Sequence, residues 1–328
     1  MWLQRMLPAR LYNFIVQKRA EKLCLTVFVG SVLVLVTLLL SLLVGRHESF
    51  RPAQFESHEK FTVVINTFKH PERLHRAIHH YETCYNIAEI RIVWAEQTAP
   101  PTMETHPEFF DGPVSMMFDR RASSSINTRF EPLENPVSEA MLSVDDDVYV
   151  DCEWLNFAFE VWRTNRDQLV GYVPRVHVGS PGKWTYRHWW TVWSTGRYSI
   201  ILTKVAFLHH KYFKMYTEKV PKAIHDYIDA HKNCEDIAMQ FLVSNVTRTA
   251  PVWVQGHYVD IGGFQGISTH GKLAGAGHKK QRSECLDMFE KLGDWGMPLV
   301  KGNTRVVNPK YWSPFTTAPC WLEYFAPL

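Results

Sequence analysis

Cysteine is scarce, six in 328 residues, which excludes a small scaffold built on disulfides. A surplus of one charge is lacking too. The chain has 36 Lys and Arg against 33 Asp and Glu, a formal net charge of +3. Residues 1–22 carry five basic side chains and one acidic one, so the remainder has no basic excess. A nucleic-acid binder needs that excess to displace counterions from phosphates, and that class is set aside. No 20–50-residue period is visible, which excludes a solenoid. The glycine-rich stretch 262–277 has no Walker pattern, and His75 and His79 have no HExxH context to suggest zinc. Hydrophobic residues at 46% and charged residues at 21% exclude a disordered or coiled-coil chain.

One long apolar run is present. Leu23–Gly45 carries no charge, and at 1.5 Å per residue its 23 residues are long enough to cross a hydrocarbon core of about 30 Å. A cleaved signal peptide has a shorter apolar region. The basic excess before the run sets the N-terminus in the cytosol. The expected layout is a cytosolic tail over 1–22, a transmembrane signal-anchor over 23–45, a polar stem over 46–60 and a lumenal domain over 61–328. That is a single-pass type II protein of the Golgi or ER membrane. Five cysteines are then lumenal, an odd number, so at least one stays free or pairs between chains. Asn245-Val246-Thr247 is a glycosylation sequon.

The lumenal part alternates apolar runs with helical spacing. Phe61–Thr67, Ile90–Trp94, Val114–Phe118, Glu139–Val144, Leu169–Val173 and Arg197–Thr203 read as strands. Leu74, Ile78, Tyr81 and Tyr85 follow Pro71 at helical spacing; residues 154–162 and 234–243 read as further helices. Strands alternating with helices predict an α/β sheet, which binds ligands at the carboxyl ends of its strands. Four tryptophans crowd residues 184–193, either as a sugar-stacking surface or as core. Residues 262–283, rich in Gly, His and Lys, read as a mobile flap.

Asp145, Asp146 and Asp147 sit at one such strand end. Three adjacent carboxylates repel one another, and a hard divalent cation held by oxygen relieves that repulsion. The glycine and closing glutamate of an EF-hand are missing. A metal at a strand-end D-x-D suits a nucleotide diphosphate, where it neutralises charge as a sugar departs.

The chain resembles the exostosin-like glycosyltransferases, glycosyltransferase family 64, from about Phe61 to Trp312. The carrying segments are FTVVINTF (61–68), IVWAE (92–96), SINTRF (125–130), LSVDDDV (142–148), LVGYVPRVH (169–177), GRYSIILTKVAF (196–207), NCEDIAMQF (233–241) and HKKQRSEC (278–285). Their wording is closer to the plant-type branch than to the animal heparan sulfate enzymes.

The resemblance implies a GT-A fold, Mn2+ and retaining transfer. A nucleotide-sugar is the implied donor, a UDP-sugar before GDP-mannose, and a glycan or sphingolipid the acceptor. N-acetylhexosamine transfer is the first reading. Hexosamine or mannose transfer to glycosyl inositol phosphorylceramide is the alternative, and a non-catalytic, lectin-like membrane protein the second. By motif, Asp147 is the metal ligand and Asp236 the catalytic carboxylate. Asn66, Thr67, Glu96, Asn127, Arg129, Asp145, Asp146 and Arg282 are donor-binding. Among these, Arg129 is expected on the donor sugar or the triplet, and Arg282 on the diphosphate. Glu96 departs from the animal members, which carry Asn there. Glu235 is read as charge placed at a helix N-terminus. Cys234 and Cys285 match a family disulfide. A homodimer is left open.

Overall fold

The computed structural model describes residues 26–36, 47–49, 59–262 and 276–308. The chain divides into two units, Met1–Val44 and Gly45–Leu328. In the first, residues 26–36 are helical with exposed side chains. Among the described residues no helix is long and apolar enough to cross a membrane. The rest of the apolar run 23–45 lies outside them.

The second unit is a mixed α/β fold. Its strands are β1 (His47–Ser49), β2 (Phe61–Thr67), β3 (Ile87–Trp94), β4 (Met116–Arg120), β5 (Ala140–Asp145), β6 (Val148–Val150), β7 (Val170–Gly171), β8 (Pro174–Ser180), β9 (Lys183–Arg187), β10 (Ile200–Ile201), β11 (Val205–His209), β12 (Val252–Val254), β13 (Tyr258–Asp260) and β14 (Arg305–Val307). Nine of them form one sheet in the order β1-β14-β12-β7-β11-β5-β2-β3-β4. Only β11 runs against its neighbours, pairing antiparallel with β5 and β7. Strand β2 pairs parallel with β3 on one side and with β5 on the other. The chain moves outward from β2 to β3 and β4, then returns to the far side for β5. That reversal is the switch point at which open α/β sheets form a ligand crevice.

Phe61–Thr67 reads as a continuous β-branched run because both of its faces are covered; all but Asn66 are buried. Helix α1 (Pro71–Glu82) starts at a proline and buries Leu74, Ala77, Ile78 and Tyr81. Tyr85, expected on the same face, lies past the helix end and is 57% exposed. Helix α2 (Cys152–Arg163) buries an aromatic face, and the short α3 (Trp189–Thr195) carries three of the clustered tryptophans. Helices α4 (Lys211–Lys219) and α5 (Lys222–His231) lead to α6 (Glu235–Thr247), which is buried on every side from Glu235 to Ser244.

Helix α7 (Ala276–Leu292) corrects the flap reading: residues 276–283 are its first turns, while 263–275 lie outside the described residues. Polar side chains hid it from sequence. Its buried positions Gln281, Arg282, Cys285 and Leu286 mix polar with apolar groups, so no apolar stripe stands out. Among the described residues two disulfides are present, Cys84–Cys152 and Cys234–Cys285. The second is the one the resemblance implied; the first had no signal beyond lumenal cysteines. Cys320 lies outside the described residues.

Between β8 and β10, His177 is buried and its Nδ1 meets the Ser199 hydroxyl at 2.8 Å. Burial first, then the charge of Lys301, lowers its pKa to about 4 from 6.5. The unfolded chain therefore takes up the proton first as pH falls through 6.5, and the fold loses stability from there down to about 4. Urea unfolding should give about 2 kcal/mol less stability from this residue at pH 5 than at pH 7. His177→Gln should remove that increment from the pH profile.

Candidate active site

The acidic triplet lies at the switch point. Asn66 of β2 faces Asp145 of β5 in register, and the Asn66 carbonyl accepts the Asp146 amide hydrogen at 3.1 Å. Three adjacent carboxylates escape one another by pointing to three different partners. Asp145 accepts from Arg129 Nη2 at 2.9 Å. Asp146 accepts from the Thr67 hydroxyl at 2.7 Å. Asp147 faces Arg73 Nη1 of α1 at 3.8 Å.

Burial raises all three above the ordinary carboxylate range, and the neighbouring carboxylates add to it. Asp146 and Asp147 are each pushed up to about 6. For Asp145, the Arg129 guanidinium opposes the rise.

Strand β13 pairs with β6 and brings Asp260, bound to Lys204, beside the triplet. The next amide, of Ile261, donates to the Asp147 carbonyl at 2.9 Å. Gly262 then passes so close that a Cβ there would lie 2.0 Å from the Asp147 carboxylate. Any larger residue would push Asp147 aside.

The second half of the site comes from α6 and α7. Arg129, in the 3₁₀ turn Ile126–Phe130, spans from Asp145 to Glu235 Oε1, the latter at 3.0 Å from its Nη1. Burial opposes its charge, and the carboxylates of Asp145 and Glu235 overcome that, so its pKa is raised. Asp236 pairs with Arg282 Nη2 of α7, and Arg282 Nη1 donates to Asn233 Oδ1 at 3.2 Å. The Arg282 guanidinium lies over the Tyr186 ring at 4.9 Å. Both acids sit in the first turn of α6, where the helix dipole favours negative charge. Burial and the Asp236 charge still push Glu235 well up, despite Arg129. The result is a run of ion pairs from the triplet to α7, with Glu235 and Asp236 side by side at its middle.

The structure therefore brings Asn66, Thr67, Asp145, Asp146, Asp147, Arg129, Asp236 and Arg282 into one continuous region. Arg129 takes the triplet rather than open space. Arg282 is paired with Asp236 and is buried, not a solvated flap charge. Glu96 accepts from the Lys69 amide at 2.7 Å in the loop after β2. Asn127 is spent elsewhere: it accepts from the Tyr216 hydroxyl at 2.7 Å and donates to Asp229 at 2.9 Å. Asn245 stands near the end of α6.

Sequence reasoning missed Arg73, Lys204, Asp260, Gly262, Asn233 and Tyr186, and gave Glu235 too small a part. A signal for Glu235 was present. Two carboxylates opening a helix with no polar face both need partners, because that helix offers no water.

Removing one partner of a buried ion pair leaves the others uncompensated. Arg129→Ala should therefore destabilise the protein by about 3–5 kcal/mol in urea unfolding and abolish activity. Cys285→Ala opens a loop with a sequence separation of 51, for a loss of about 4 kcal/mol in the chain-entropy model. Urea unfolding of the two variants checks both losses of stability, and a sugar-transfer assay of Arg129→Ala checks the loss of activity.

The Glycosyl transferase family 64 domain matches residues 61–312. The Arabidopsis thaliana protein named Glycosylinositol phosphorylceramide mannosyl transferase 1 is 36% identical over 270 residues, covering 77% of this chain and 78% of that protein. Human Exostosin-2 is 34% identical over 252 residues, 74% of this chain but only 33% of the exostosin. Human Exostosin-like 2 is 28% identical over 76% of this chain and 77% of its own length. A solved structure titled "Crystal structure of GalNAc-T7 with UDP, GalNAc and Mn2+" aligns at TM-score 0.42 and 9% identity, over 59% of this chain and 42% of that one. On the family match and the plant relative, the chain belongs to glycosyl transferase family 64 and is a glycosyltransferase.

Proposed function

We propose that the enzyme moves mannose, or another hexose, from a nucleotide-sugar to a glycosyl inositol phosphorylceramide, keeping the α configuration. The observation that carries this is the 36% identity to the plant protein named for mannose transfer to that lipid. It reverses the order drawn from sequence, in which N-acetylhexosamine transfer came first. The reading includes a GT-A fold, with the nucleotide in the crevice at the ends of β2 and β5.

The donor set fits a hard divalent cation such as Mn2+. Asp146 and Asp147 offer oxygen alone, and burial with like-charge crowding raises both, a strain that a cation relieves. Among the described residues no group of three His, Cys, Asp or Glu could enclose a metal by itself. Asp147 would hold it, and when bound it neutralises charge on the departing diphosphate.

The chain's own groups do the rest. Arg282 grips a diphosphate oxygen, and Asp236 faces the anomeric carbon and stabilises its positive character. Asp145 and Asp146 position the ribose and sugar, with Asn66 and Thr67 near the base. The bond from the anomeric carbon to the diphosphate oxygen breaks. A bond from that carbon to an acceptor hydroxyl oxygen forms, and the hydroxyl proton is taken up by the departing diphosphate.

The run 23–45 would anchor the enzyme in the Golgi membrane with the domain in the lumen. Two disulfides suit that oxidising compartment. N-acetylhexosamine transfer to a glycan is the second reading, favoured by the exostosin identities.

Full-length protein in detergent with Mn2+ should be given GDP-mannose, UDP-GlcNAc, UDP-GalNAc and UDP-glucose, with and without the purified lipid. Mannose transfer to the lipid is expected, and Asp147→Asn should lower it by about a hundredfold or more. Transfer of N-acetylhexosamine alone, to a glycan, would favour the second reading. No turnover by folded protein would favour a non-catalytic, lectin-like one.

A further inference from the structure

The one N-x-S/T sequon of the chain, Asn245-Val246-Thr247, does not lie in a loop. It forms the last three residues of α6. Sequons are read in open chain, which is why they belong to surface loops. Here the fold holds both groups that the reading needs. The Thr247 hydroxyl donates to the Val243 carbonyl at 2.8 Å. Asn245 is half-buried, and its Oδ1 is shut away from water with no hydrogen-bond partner. The Arg248 amide then donates to the Ser244 carbonyl at 2.9 Å and closes the helix directly after the sequon.

This lock belongs to the packed helix, not to its sequence. A 13-residue helix standing alone in water is marginal. What makes α6 permanent is burial from Glu235 to Ser244 against α4, α5, β10 and α7. Helix α7 starts only at Ala276, and the disulfide from Cys234 closes on Cys285. Residues 248–285, 38 in all, must therefore follow the sequon before α6 is tied down. At about 5–20 residues per second that stretch takes roughly 2–8 s to make. Once packed, a core helix opens only at a cost near that of global unfolding.

We propose that Asn245 is a glycosylation site open only to the incoming chain, modified before α7 packs and Cys234–Cys285 closes, and sealed afterwards. The co-reactant is an oligosaccharide carried on a lipid diphosphate, used by a transferase of the lumen. A bond forms from Asn245 Nδ2 to the anomeric carbon of the oligosaccharide. The bond from that carbon to the diphosphate oxygen breaks, the lipid diphosphate departs, and a base of the transferase takes the Nδ2 proton. The buried unpaired atom of this side chain is Oδ1, not Nδ2, and Val246 beside it is 45% exposed. The folded helix therefore carries a glycan added early. The chain emerges as two populations, set by a race between transfer and folding. This inference rests on the lumenal placement in the reading above, and its test separates the two.

The test expresses the full-length protein in eukaryotic cells. Pulse-labelled chain is run on gels with and without an endoglycosidase that removes Asn-linked glycans. Two bands are expected from the wild type, merged into the lower one by the endoglycosidase and by Asn245→Gln. Dithiothreitol during the pulse, or Cys285→Ser, should move the chain wholly to the upper band. The control for compartment is Met103→Asn in the Asn245→Gln background. Met103 is 58% exposed, and the change makes a sequon with Glu104 and Thr105. A modified control beside a wild type that stays in the lower band, with or without dithiothreitol, would overturn the site and leave the lumenal reading intact. A wild type wholly in the upper band would overturn the gate, as would two bands that neither dithiothreitol nor Cys285→Ser shifts. An unmodified control beside an unmodified wild type would defeat the lumenal reading and the site with it.

Discussion

The site depends on a single constraint: two guanidinium groups must neutralise carboxylates that the fold has taken out of water. Arg129 stands between Asp145 and Glu235, and Arg282 stands against Asp236. All are largely buried, so each charge is tolerable only while its partner is in place. The four elements that supply them are thereby held at fixed distances: β5, the 3₁₀ turn, α6 and α7. The geometry of the crevice and structural integrity come from the same pairs.

That constraint explains the shape of α6. A helix apolar all round must lie in the core, yet its first turn carries two acids. Its N-terminus is therefore a buried source of negative charge aimed at the crevice. The disulfide from Cys234 to Cys285 ties its start to α7, so Arg282 stays opposite Asp236. On the other side of the crevice, Gly262 lets a passing chain close over Asp147.

Much of the centre was legible because it is local. The run Phe61–Thr67 matches β2 to the residue, and Glu139–Val144 differs from β5 by one position at each end. A β-branched run ending in carboxylates is a signal held within ten residues. The two-residue strands β7 and β10 were overestimated, since apolar character persists beyond the paired backbone. Illegible were the pairings between distant segments. Arg129 and Glu235 are separated by 106 residues, and no periodicity in either segment points to the other. The aromatic wealth of residues 184–193 was plain in sequence. Its division between Tyr186, which is buried, and Trp190, which is exposed, depends on β9 packing against α7 while α3 packs against β8 and β9.

The order of the site along the chain has a consequence for biosynthesis. A ribosome making about 5–20 residues per second delivers Asp145 and Arg129 on the order of ten seconds before Arg282. During that interval Asp236 lacks its guanidinium partner, and α6 has no covalent tie. Arg282 and Cys285 arrive together on one helix, so the ion pair and the disulfide that tie α6 to α7 are completed in one late event.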